Sequence, residues 1–173
     1  MRTTTPTLDE VRDVWAVDAQ AWAAQGKDYS SALLQQYGIY VEMADRISGR
    51  RMLANTFFLT LNSAVFTVFG VLWETRPSSS GVWLIFPLVA LLIQCASWYW
   101  ILRSYRQLSS AKYTVIGALE ERLPASPYWR AEWKALGRGD DHSRYLPLTH
   151  LEQWIPLLFA ATYLAAFLAA LFA

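Results

Sequence analysis

Thr56, Thr60, Ser63, Thr67 and Gly70 recur at steps of 4, 3, 4 and 3, the spacing that puts side chains on one face of an α-helix. Asn55 and Asn62, seven apart, border this stripe, and Gln94 lies in a second apolar run further on. Hydroxyl and carboxamide oxygens in a row can replace part of an ion's hydration shell, while an apolar neighbour such as Phe66 can close the path by dewetting. The same residue types also serve helix packing, because small side chains let backbones approach and hydroxyls bond across helices or back to their own carbonyls. The sequence leaves both roles open. Either way, carboxamides in hydrocarbon are costly unless bonded, so the stripe predicts assembly with other copies.

Other chemistries find little footing. The single cysteine, Cys95, lies inside an apolar run and can form neither an intrachain disulfide nor a Cys-based metal cluster. Asp140, Asp141, His142 and His150 could be offered as metal ligands, but no regular spacing supports them. The glycines at 137 and 139 lack the preceding strand and the following Lys-Ser/Thr of a phosphate cradle. No nucleophile, base and orienting group fall at recognisable spacing, so no enzyme activity, metal or cofactor is expected. With no intramembrane charge and no inverted repeat, a transporter is not expected either.

A second set could bind anions. Arg46, Arg50 and Arg51 precede the first apolar run and Arg103, Arg106 and Lys112 follow the second. They suit lipid phosphates or an anionic ligand, and a nucleic-acid ligand would bind with steep salt dependence. By the positive-inside rule they place both outer flanks, and the N-terminus, in the cytoplasm.

The elements that hold these residues are helical and mostly apolar. Residues 52–73 (MLANTFFLTLNSAVFTVFGVLW) and 81–102 (GVWLIFPLVALLIQCASWYWIL) are each 22 residues long and uncharged. Such a helix covers ~33 Å, enough for a hydrocarbon core of ~30 Å. A hairpin of two transmembrane helices follows, joined by a short loop containing Pro77 and three serines. Residues 154–173 form another uncharged run, apolar all round, and predict a third span, with a lipid-facing or interfacial packing helix as the alternative. Mean hydropathy of +0.18 and a net charge of +1 fit one membrane domain with limited soluble mass.

Between these runs the pattern extends each span as a charged helix. No proline lies between residues 31 and 73, so one helix of 43 residues is expected there, with Ser30 or Ser31 as its N-cap. A matching helix continues the second span to Arg122, before Leu123-Pro124. The chain therefore divides into an N-terminal segment (1–30), a long-helix hairpin (31–122), a cytoplasmic cap (123–153) and the last apolar helix (154–173). Within the first segment, Leu8, Val11, Trp15 and Ala19 predict an amphipathic helix over 8–24. Thr149 and Glu152 suggest a capping box before the last helix.

Four blocks in order, YVEMADRISGRR (40–51), RSYRQLSSAK (103–112), LEERLPASPYWRAEW (119–133) and GRGDDHSRYLPLTHLEQW (137–154), resemble the RipA-type octameric membrane proteins of bacteria. The resemblance covers roughly residues 31–154. It implies an all-α integral membrane protein of the bacterial inner membrane, assembled from four to eight copies, with cytoplasmic helices. It also implies similarity to membrane effectors of antiphage operons, among them the channel effector of the Hailong system, held closed by short DNA oligomers from a partner nucleotidyltransferase. The expectation is a homo-oligomeric channel or pore-forming effector in antiphage defence, gated by a cytoplasmic nucleotide or oligonucleotide. The alternative is a non-conducting oligomeric scaffold whose partners are itself and the lipid bilayer.

Overall fold

The computed structural model describes residues 11, 14–26, 28–73, 84–137 and 151–172, and among these every regular element is helical. In chain order they are α1 (Ala19–Ala23), α2 (Tyr29–Trp73), α3 (Ile85–Glu120), a π-helical segment (Pro127–Glu132) continuing into α4 (Trp133–Ala135), and α5 (Ile155–Phe172). The chain divides into two compact units: Met1–Gly49 with Tyr105–Pro147, and Arg50–Ser104 with Leu148–Ala173. α2, α3 and α5 are each long and apolar enough to cross a membrane, so the expected third span has a helix to match.

α2 is 45 residues without a break, or ~67 Å at the standard rise. Its start corrects the expectation of a serine cap. Asp28 fills that place, its carboxylate accepting the Ser30 backbone N–H at 3.0 Å and the Ser30 hydroxyl at 2.7 Å. A carboxylate is the stronger acceptor and also suits the positive end of the helix dipole. The amphipathic helix expected over 8–24 is likewise cut short to α1. Asp18, extended at φ −77° and ψ 165°, accepts the Ala21 N–H at 2.7 Å and starts a new helix at Ala19. Part of that expectation, at residues 8–10, 12 and 13, lies outside the described residues.

In the membrane unit, Leu91, Cys95 and Tyr163 form a buried cluster against Val65, Phe66, Leu88, Phe159 and Ala160. Trp98 is fully buried and stacks on Phe58 at 5.6 Å and 11°, while Phe66 stacks on Tyr163 at 4.9 Å and 13°. Leu53, Phe57, Phe86, Ile93 and Leu158 stay exposed. Apolar side chains outside and a polar amide within is the pattern expected when the solvent is lipid. Pro87 and Pro156 fall in the first turns of α3 and α5, where a missing N–H costs no helical bond.

In the other unit, Leu33, Ala44 and Ile47 of α2 and Ile116, Ala118 and Leu119 of α3 are buried. The chain then turns back against the end of α3. A Cβ at Gly117 would come within 2.8 Å of the Trp129 ring, so only glycine admits that indole. Gly137 ends the described part of the cap with φ 76°. The rest of its expected loop, the candidate ligands Asp140, Asp141, His142 and His150, and the Thr149 cap lie outside the described residues.

Candidate functional site

The polar residues of the first span fall into two groups. Thr56, Thr60, Ser63, Thr67 and Gly70 form one exposed face of α2. Ser63 donates its hydroxyl to the Leu59 carbonyl at 2.8 Å, and Thr67 donates to the Ser63 carbonyl at 3.0 Å. These bonds consume the hydroxyl hydrogens and leave oxygen lone pairs directed off the helix. Gly70 has open space where a Cβ would be.

Asn62 is turned the other way and is fully buried. Its amide nitrogen donates to the Phe58 carbonyl at 2.7 Å, and its Oδ1 accepts the Tyr163 hydroxyl at 2.7 Å. The Cys95 thiol reaches the same oxygen at 3.9 Å. One carboxamide thus joins α2, α3 and α5. Gln94 and Asn55 are half-buried, and Gln94 Nε2 and Asn55 Oδ1 have no hydrogen-bond partner among the described residues. A shielded amide in that state invites a bond from outside the subunit or a bound water. Rotation along the helix carries the signal for this split: at 100° per residue Asn62 stands about 200° from Thr60.

The basic residues are largely engaged. Arg46 pairs with Glu42 at 2.6 Å on the surface. Arg51 Nε lies 3.5 Å from Glu152, both mostly shielded, yet that nitrogen makes no hydrogen bond among the described residues. Arg103 sits 5.6 Å from the Trp100 ring, Arg106 also has a partner, and Arg50 is exposed. Lys112 is buried with its ammonium 4.4 Å from the Tyr40 ring centre, a cation–π contact.

Glu120 is the polar centre that the sequence reading missed. It is 1% exposed and each of its oxygens accepts two bonds. Oε1 takes the Tyr37 hydroxyl at 3.0 Å and the Tyr128 N–H at 3.1 Å. Oε2 takes the Ser126 hydroxyl at 2.7 Å and the Trp129 N–H at 2.9 Å. The last two N–H groups belong to the opening turn of the π-helical segment, which the carboxylate therefore caps. Burial, reinforced by the Glu120 bond and charge, pushes the Tyr37 phenol up to about 12. A hint existed: an acid in the last turn of a helix opposes the helix dipole, so something else must hold it there.

Compared with known proteins, the chain matches the model of the octameric membrane protein family over residues 34–172. No curated protein and no solved structure matches it.

Proposed function

Because the chain belongs to the octameric membrane protein family, and is thus an all-α membrane protein that self-associates, we propose that eight copies form a channel or pore-forming effector. It sits in the bacterial inner membrane, with the N-terminus and the charged ends of α2 and α3 in the cytoplasm. The observation that carries the reading is the exposed face of Thr56, Thr60, Ser63 and Thr67 on a helix whose buried amide, Asn62, is already consumed inside the subunit. Lipid gives hydroxyl oxygens no partner, whereas partly hydrated cations at a shared axis do.

On this reading the signal is an anionic cytoplasmic ligand, a nucleotide or short DNA oligomer made by a partner enzyme. The protein serves antiphage defence by releasing or withholding a conductance, and itself carries out no covalent chemistry. Among the described basic residues, Arg50, exposed at the head of the span, and Arg46, paired with Glu42 at the surface, are open to such a ligand. Single-channel recording from purified protein in planar bilayers tests the proposal, with Thr60→Leu expected to reduce or abolish conductance. Silence of the unmodified protein with and without nucleotides and DNA oligomers would defeat it.

One observation favours a second reading. Since Ser63 and Thr67 already donate to their own helix, the face could simply pack against another copy, and the assembly would be a non-conducting scaffold. Thr60→Val would then preserve function, and Thr60→Phe would abolish assembly.

A further inference from the structure

Residues 29–51 of α2 carry Glu42, Asp45, Arg46, Arg50 and Arg51, too many charges for hydrocarbon. Lipid therefore does not cover the apolar side chains of this stretch. Leu33, Ala44 and Ile47 are covered by their own unit. Ile39 and Met43 are not: they are 51% and 42% exposed. Together with Val11 and Val14 of the N-terminal segment, and with Gln36, Tyr40, Val115 and Leu119, they line an apolar groove of about 450 Å³.

Another stripe runs along the same helix. Leu34, Gly38, Val41 and Asp45 recur at steps of 4, 3 and 4, and Leu34 is 60% exposed. At 100° per residue Leu34 stands about 140–180° around the helix from Ile39 and Met43. Gly38 stands out among these residues, because a Cβ there would meet nothing within 4 Å. No contact among the described residues requires a glycine, which costs about 1 kcal/mol relative to alanine in a helix interior. A neighbour whose backbone comes close would require it.

A closed ring built from head-to-tail contacts needs two different surfaces on opposite sides of each subunit. We propose that the groove at Ile39 and Met43 is the seat of a second copy of this chain. The Leu34, Gly38 and Val41 stripe of one subunit packs into the groove of the next, and Gly38 lets the two helices approach. The family match, which covers the stripe and the α2 and α3 walls of the groove and describes an octamer, favours another copy as the occupant. This inference rests on self-association and is independent of conduction.

The test places a photo-crosslinking amino acid at Met43 of the full chain and irradiates native membranes. The expected product is a ladder of multiples of the 19.7 kDa subunit, with the linked peptide mapping to residues 34–45. In parallel, Gly38→Leu, which has open space within the subunit, should lose the octamer to smaller species while keeping its helical circular dichroism. If that variant loses helicity, the Met43 crosslink alone decides. Adducts only to lipid or another protein, a linked peptide elsewhere, no ladder, or an octamer that survives Gly38→Leu would each overturn the proposal. An unmodified chain running as a lone subunit would instead remove the self-association on which it rests.

Discussion

The phenol of Tyr163 donates a 2.7 Å hydrogen bond to Oδ1 of Asn62, a residue 101 positions earlier. The bond fastens α5 to α2 at the centre of the membrane unit, beside the stacked ring of Phe66. It makes the last apolar helix part of the hairpin's own core.

Tyr163→Phe keeps the ring and removes the bond, so it should lower stability by about 0.6–1.7 kcal/mol, the range of interhelical hydrogen bonds in membrane proteins. Asn62→Leu should cost more, because it strands the Tyr163 hydroxyl and removes the Cys95 contact. The double variant should cost less than the sum of the two. Unfolding in mixed micelles measures all three; strictly additive losses would mean the bond is not formed.

Glu120→Ala should cost about 3–5 kcal/mol, since it leaves two hydroxyls and two backbone N–H groups without their acceptor. Glu120→Gln should also be destabilising, because whichever way the amide turns, its NH₂ faces two donors. Thermal melts followed by tryptophan emission would read the change, and a Gln variant as stable as the parent would contradict the four-bond arrangement.

Gly117→Ala should displace the Trp129 indole and cost about 1–3 kcal/mol, the usual penalty for overpacking. In a Trp129→Ala background the same change should cost almost nothing. A similar loss in both backgrounds would point to the helix backbone instead of the indole.

The Tyr37 phenol, raised from 10.0 to about 12, gives alkaline sensitivity of a definite sign. Its folded value exceeds the unfolded one, so its contribution is complete below pH 10 and is lost as pH rises toward 12. Tyr37→Phe should therefore flatten the fall in stability over that window. Denaturant titrations of both proteins across the alkaline range check it.

The membrane helices were legible because absence of charge over a bilayer's length is a property of composition, which residues 52–73, 81–102 and 154–173 carry on their own. α2 followed from the missing proline between residues 31 and 73. Local competition was harder to read. Apolar spacing predicted a helix over 8–24, but Asp18 caps a new start at Ala19, and Asp28 displaced Ser30 as the cap of α2. Least legible were the long-range contacts: Glu120 draws a donor from 83 residues earlier, and Asn62 looked like part of the hydroxyl stripe until α5 claimed it.

The Asn62 to Tyr163 bond also sets an order of events at the ribosome. Asn62 leaves the exit tunnel about 101 residues ahead of its acceptor's donor, a delay of ~5–20 s at ordinary elongation rates. Through that interval the nascent hairpin holds an amide oxygen with no tyrosine to meet it, so its core stays incomplete until Tyr163 follows.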